Sequence, residues 1–373
     1  MDNRLTQIAL PVLLVFGLLM ALAGYTIWRD YSTNPEVVYQ AVSSTFTPTI
    51  PLMPATSSVE IVRAQISDPI TVSPHSPRLL FVGDIMLDRN VARRMQEAKD
   101  PSYPFRRLPP GWFETFDYAI ANLEGPVTDK RRAPEKSIDF QFDPSVIPML
   151  KVQGIDAVSQ ANNHALDQGA VGYADSVRRL REAGFLVFGH QVQDDDIALA
   201  TTTIRGKTFA FLGFNTTDNP LDRLQAESVI QHARKQADYV IVYMHWGAEY
   251  AHTPIPDVVN LAHWFIDQGV DVVMGGHPHW VQGIERYKEK PIVYSLGNFV
   301  FDQDFSSETK ESMAMELQFD DTGIQLKPIP LVIEKSQPTL LEDESKNARL
   351  RALASYSATS LNDAILAGRI LFP

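Results

Sequence analysis

The stretch Val270-Asp271-Val272-Val273-Met274-Gly275-Gly276-His277-Pro278-His279 decides how this chain is read. An apolar run of β-branched residues stops at a glycine pair and gives way to two histidines flanking a proline. That is the texture of a buried strand delivering imidazoles at its carboxyl end. Proline disfavours helical geometry in the residue before it. In extended backbone, residues two apart face the same side. Both imidazoles are therefore expected to point into one small volume, and neutral imidazole is the commonest protein metal ligand.

Four further runs end in the same way. Leu79–Gly83 delivers Asp84, Tyr118–Leu123 delivers Glu124, Ala157–Ala161 delivers Asn162, Asn163 and His164, and Tyr239–Met244 delivers His245. Taken singly, an aspartate after a strand is usually a turn or cap residue, an Asn pair is usually a turn, and a lone histidine is often a core residue. Jointly they repeat one polarity and one ligand chemistry. In open α/β sheets, sites lie beyond the carboxyl ends of the strands, where loops from different strands meet. Asp167 and Glu249 lie close in sequence to candidate ligands and are expected to orient them. His75, His190, His232, His252 and His263 lack this context and read as surface or packing residues.

The chain has no cysteine, which removes disulfides, thiolate ligands and thiol nucleophiles together. Carboxylates, an amide and imidazoles suit Mn, Zn or Fe, as one ion or two. If two ions bind, a carboxylate must bridge them, and Glu124 is the choice. A metal centre acidifies its own water, so no serine or cysteine nucleophile is required. His164 then fits a general acid that protonates the leaving group.

Composition is that of a globular protein, with 45% hydrophobic and 21% charged residues in 373. The formal net charge of -12 argues against nucleic-acid binding, which needs basic surface. Ile8 to Trp28 is uncharged, and as a helix it would span roughly 31 Å, the thickness of a bilayer core. We read residues 1–30 as a membrane anchor, with the short N-terminus inside and the rest outside the cytoplasm. A signal peptide cleaved near Ala23, giving a secreted protein, is the alternative. Residues 31–77, rich in Ser, Thr and Pro, read as an extended linker. From residue 78 to about 335, strand-like runs alternate with amphipathic stretches, as α/β architecture requires. Residues 336–373 read as a helical tail, with Leu350, Leu353, Leu361, Ile365 and Leu366 at helical spacing.

Six motifs resemble the bacterial CapA family of capsule and poly-gamma-glutamate synthesis proteins, within the calcineurin-like metallophosphoesterase superfamily. They are Val82-Gly83-Asp84-Ile85-Met86-Leu87-Asp88-Arg89, Asn122-Leu123-Glu124-Gly125 and Ala161-Asn162-Asn163-His164-Ala165-Leu166-Asp167-Gln168-Gly169, followed by His245-Trp246-Gly247-Ala248-Glu249-Tyr250, Gly276-His277-Pro278-His279 and Tyr294-Ser295-Leu296-Gly297-Asn298-Phe299. The resemblance implies a layered α/β sandwich with the metal site at the carboxyl ends of its strands. It implies that Asp84, Glu124 and His279 hold one ion, that Glu124, Asn163, His245 and His277 hold another, and that His164 is the catalytic acid. Asn162, Arg89 and Asn298, within the same motifs, are expected to surround the ligands. Met86 stands where the superfamily's Asp-x-His motif has its histidine, and Glu124 replaces the usual bridging aspartate; both are features of the CapA branch. The implied function is a metal-dependent hydrolase or transferase acting on a cell-envelope or capsule polymer, through phosphoester or gamma-glutamyl amide chemistry. The alternative is a non-catalytic polymer-handling subunit working with other capsule synthesis and export proteins.

Overall fold

Alternation along the first strand sets the layering. In β1 (Arg78–Ile85), Leu79 and Phe81 face one hydrophobic core while Leu80 and Val82 face another. Successive side chains of a strand point to opposite faces, so a strand with both faces apolar must be covered on both. The computed structural model describes residues 76–190 and 198–373 of this chain, all within one compact unit.

Parallel pairing extends β1 through β2 (Tyr118–Leu123), β3 (Ala157–Ser159) and β4 (Leu186–Phe188). The connecting helices α1 (Arg89–Ala98), α2 (Val146–Val152) and α3 (Gly169–Glu182) bury Val91, Met95, Leu150, Val177 and Leu180 on the outer face of this sheet. A second sheet is built from β5 (Leu199–Ile204), β6 (Lys207–Asn215), β7 (Tyr239–His245), β8 (Val272–Gly276), β9 (Ile284–Tyr287) and β10 (Lys290–Val293), in the order β5-β6-β7-β8-β10-β9. Its outer face is covered by α4 (Arg223–Arg234) and α5 (Pro256–Asp267). Between the sheets, Leu79, Phe81 and Ile120 meet Phe209, Phe211, Ile241 and Met274 in a shared core. The result is a layered α/β sandwich: helices, sheet, sheet, helices.

The first sheet is completed by β11 (Asn298–Val300), β12 (Glu311–Asp320), β13 (Gly323–Glu334), β14 (Gln337–Leu340) and β15 (Ile370–Phe372). The segment 336–373, read from sequence as a helical tail, does carry α6 (Asp343–Tyr356) and α7 (Asn362–Leu366). Its strands β14 and β15 pair with β13, however, so it is part of the same sheet. Leu350 packs against the body, and Leu353, Leu361 and Ile365 close the central core, whereas Leu366 is exposed.

The expected membrane anchor and linker fall on residues 1–77, outside the described residues apart from the linker's last two positions. Among the described residues, no helix is long and apolar enough to cross a membrane.

Two local readings are corrected. The strand expected to run to Ala161 ends at Ser159, and Asn162 to His164 lie in the loop that follows. The backbone at His277 and His279 is not extended: φ is +92° and +58°, in the left-handed region. Strand β8 stops at Gly276, and the two rings converge through that turn rather than through strand alternation. A Cβ at Gly276 would lie 2.8 Å from Asp84 Oδ1, so a larger residue there would displace that carboxylate.

Candidate metal centre

The five expected strand ends all meet, but they come from two sheets: β1, β2 and β3 from the first, β7 and β8 from the second. Asp84 is aimed by an irregularity in β1, where the pairing with β2 skips Gly83, so that Asp84 lies opposite Asn122. A bulge of this kind turns a side chain out of the regular alternation. Gly83 permits it, since a Cβ there would sit 2.0 Å from the carbonyl oxygen of Gly297. Parallel pairing of β11 with β1 then sets Asn298 beside Asp84.

Asp84, Glu124 and His245 offer ligand atoms all within 4.8 Å of one another, and each side chain is fully buried. Asp84 Oδ1 accepts from Asn122 Nδ2 at 2.8 Å, and Oδ2 accepts from the His277 backbone N–H at 3.2 Å. His279 joins from the far side, with Nε2 3.9 Å from Glu124 Oε1 and Nδ1 3.6 Å from Asp84 Oδ2. Asn298 Oδ1 lies 2.9 Å from His279 Nδ1, which fixes that ring and leaves Nε2 facing the carboxylates. Asn163 Oδ1 is 2.9 Å from His245 Nε2. The His277 ring lies 4.8 Å from that of His245 and 6.0 Å from that of His279.

His164 Nδ1 lies 2.7 Å from Asp167 Oδ2, which also accepts the Phe140 backbone N–H at 2.7 Å. Phe140 packs against the His164 ring, with centroids 4.1 Å apart and the planes tilted by 35°. Lys136 Nζ reaches the other Asp167 oxygen at 2.7 Å. Asn162 accepts the His164 backbone N–H at 3.1 Å and donates to Asn122 Oδ1 at 3.0 Å. Glu249 is half-exposed, with Oε1 3.9 Å from His279 Nε2. Arg89 makes no hydrogen bond to a candidate ligand; it pairs with Asp302. Met86 is fully buried in the core with its Sδ accepting the Asp88 N–H at 3.1 Å, and so adds no donor to the site.

Sequence reasoning passed over Asn122. Its amide donates to Asp84 and, at 3.4 Å, to Glu124 Oε2, while its oxygen takes the Asn162 amide. The signal was present, since Asn122 stands two residues before Glu124 near the end of a strand, where side chains share a face. Of the histidines read as surface or packing residues, His252 stacks on Tyr356 at 4.0 Å, His263 stacks on Tyr287 at 3.8 Å, His190 meets Tyr173 edge-on at 4.4 Å and His232 is exposed. His75 lies outside the described residues.

Burial dominates the electrostatics of the centre. Burial pushes Asp84 up to about 6. Burial, and then repulsion from Asp84, push Glu124 well above the carboxylate range. Burial depresses His277 to about 4 and, with repulsion from His277, His279 to about 3, and it holds His245 far below the usual imidazole value. Every group is driven toward its neutral form, as in a dry pocket without a counter-ion. A divalent cation reverses that logic by favouring both carboxylate and neutral imidazole. Among the described residues, Glu124 Oε1 and His277 Nδ1 find no hydrogen-bond partner although both are buried. Orphans of this kind are uncommon in native structures. Oxygen and nitrogen donors in this mixture fit a transition-metal ion.

Comparison with known proteins agrees with the sequence motifs. A family model described as bacterial capsule synthesis protein PGA_cap matches residues 78–303. The PGA biosynthesis protein CapA of Bacillus subtilis (strain 168) is 31% identical over 283 residues, covering 71% of this chain and 74% of that protein. The capsule biosynthesis protein CapA of Bacillus anthracis is 32% identical over 283 residues, covering 70% and 68% respectively. Among solved structures, a hypothetical protein from Thermus thermophilus aligns with a TM-score of 0.45 at 18% identity, over 68% of this chain and 98% of that one.

Proposed function

The chain belongs to the PGA_cap family of bacterial capsule synthesis proteins, and from that premise we propose that it is a metal-dependent hydrolase or transferase acting on a cell-envelope polymer. The observation that carries this reading is the fully buried Glu124 carboxylate, whose partnerless Oε1 faces His279 while Asp84 and His245 converge beside it. Asp84, Glu124 and His279 would hold one ion, and Glu124, Asn163, His245 and His277 a second. Such a cation supplies Lewis acidity, polarising the scissile centre and acidifying water at neutral pH.

The chain's own residues perform the rest. Asp167 accepts the Nδ1–H of His164 and so orients the ring, and a second proton carried on Nε2 is the one passed to the departing atom. Phe140 holds the plane of that ring and keeps water from one of its faces. Asn122 and Asn298 hold Asp84 and His279 in place before any substrate arrives. The Bacillus relatives carry names tied to PGA and capsule biosynthesis. For this chain we take the substrate to be a gamma-glutamyl or phosphodiester-linked capsule polymer. Residues 1–30 would anchor the protein with its domain outside the cytoplasm, within reach of that polymer and of other capsule synthesis and export proteins. The metallophosphoesterase-like character of the centre belongs to the same reading.

The test uses the full-length protein extracted from membranes. Bound metal is measured by elemental analysis, and turnover is assayed on gamma-glutamyl and phosphodiester substrates. The His164→Ala variant should retain its metal and lose on the order of 100- to 10,000-fold in rate. A wild-type protein without metal, indistinguishable from Glu124→Ala and His245→Ala variants, refutes the proposal.

A further inference from the structure

Arg89 stands at the rim of the centre in a posture that a surface ion pair does not explain. Its backbone is left-handed, with φ of +49°, which non-glycine residues seldom adopt and which clusters at functional sites. Asp88 Oδ1 accepts the Arg89 backbone N–H at 2.7 Å. Asp302, almost fully buried, accepts from Arg89 Nη2 with one oxygen and from the Asn90 backbone N–H at 3.2 Å with the other. The guanidinium lies 5.0 Å from the centre of the Phe140 ring and 5.9 Å from that of Phe301. These same rings pack on the two chemical ends of the site, Phe140 on His164 at 4.1 Å and Phe301 on His279 at 4.9 Å.

A permanent positive charge is thus held on two aromatic faces, between the proton donor and a candidate metal ligand. Its side chain remains 37% exposed. A guanidinium has five N–H donors in a fixed fork, and among the described residues the Asp302 bond takes one of them. A pair serving only to fasten α1 to the loop after β11 would need neither the left-handed backbone nor the aromatic seat. The protein carries a net charge of -12. A polyanion approaching it therefore depends on local cations near the reacting centre.

We infer that Arg89 is a substrate-binding residue that clamps an anionic group, a carboxylate or a non-bridging phosphoryl oxygen, next to the scissile bond. This rests on the reading of the site as one that acts on an envelope polymer. Asp302 sets the angle of the fork and Phe140 and Phe301 set its depth, so the clamp is formed before substrate arrives. The site thereby selects chains with a negative charge adjacent to the bond that is broken. Arginine is favoured over lysine in this role because its planar fork matches both kinds of oxyanion.

The experiment measures calorimetric binding of gamma-glutamyl-glutamate, of its triamide, which has no carboxylate, and of inorganic phosphate to full-length, metal-replete protein. Arg89→Met should weaken one or both anions by on the order of 10- to 100-fold, leaving the triamide and the metal content unchanged. Whichever anion loses more identifies the group that the clamp receives. Arg89→Lys should restore only part of the loss, and if Arg89→Met does not fold, the same comparison made on Arg89→Lys decides. Anion affinities within about two-fold of wild type in the folded variant, equal loss of the triamide, or a wild type that binds neither anion would each overturn the inference. Absence of metal refutes the proposed function instead, and anion binding by the same samples still decides the role of Arg89.

Discussion

Replacing Glu124 by glutamine should move stability in opposite directions with and without metal. In protein stripped by chelator, Glu124 and Asp84 sit buried with ligand atoms within 4.8 Å of each other and no cation between them. At an effective dielectric near 20, two unit charges at that distance repel by about 3 kcal/mol. This is an upper bound, because either group can take up a proton. Burial favours that proton on Glu124, and taking it up from water at pH 7 costs about 1.4 kcal/mol for each pH unit above the unfolded value. The amide, with nearly the same shape and no proton to acquire, therefore relieves on the order of 1–3 kcal/mol. At about 2 °C per kcal/mol for a domain of this size, the stripped variant should melt about 2–6 °C above stripped wild type. Added metal should then reverse the order. Wild type at a hundredfold excess of metal over Kd gains about 2.7 kcal/mol. A variant whose affinity has dropped about a hundredfold gains only about 0.4 kcal/mol. Thermal scans of both proteins, with chelator and across a Mn, Zn or Fe titration, give the four numbers needed. A glutamine variant that melts well below wild type when stripped, or that keeps the full metal-dependent rise, would show that Glu124 is a structural acid with an ordinary partner.

Three other perturbations probe the frame around the centre. Gly276→Ala brings a Cβ to 2.8 Å from Asp84 Oδ1; metal titration should show affinity reduced about 10- to 100-fold, as for disturbed groups around a ligand. Met86→Leu should cost less than about 1.5 kcal/mol in denaturant unfolding and leave metal content unchanged, because Met86 is buried in the core; loss of metal would place its sulfur in the site. Burial alone would push Asp175 up, but hydrogen bonds from Thr128, Arg178 and Arg179 outweigh it and hold the carboxyl well below its usual range. A depressed folded value stabilises above the unfolded value near 4 and is lost as pH falls toward the folded one. Asp175→Asn should therefore lose about 1–3 kcal/mol at pH 7 and progressively less below pH 4 in urea titrations; a loss independent of pH would contradict the charge-based account.

Residue types and short-range pattern determined a large share of this protein. The five apolar runs, their polarity and the donors at their ends follow from strand periodicity and the chemistry of Asp, Glu, Asn and His, and all five strands form. The absence of cysteine limited the donors to oxygen and nitrogen. Tertiary structure decided what local pattern does not encode. It divided the five strand ends between two sheets, so the centre closes only when the sheets pack and Asp84 receives the His277 N–H across them. It took Met86 into the core, and it made Asn122 the amide that joins Asp84, Glu124 and Asn162. It brought His277 and His279 together through left-handed backbone, against the extended geometry expected beside proline, and set Arg89 between Phe140 and Phe301. A strand's period says which face a residue occupies. Which residues from distant strands share a buried volume depends on sheet pairing and on the close approaches that Gly83 and Gly276 permit, and these arise only when the whole chain has packed.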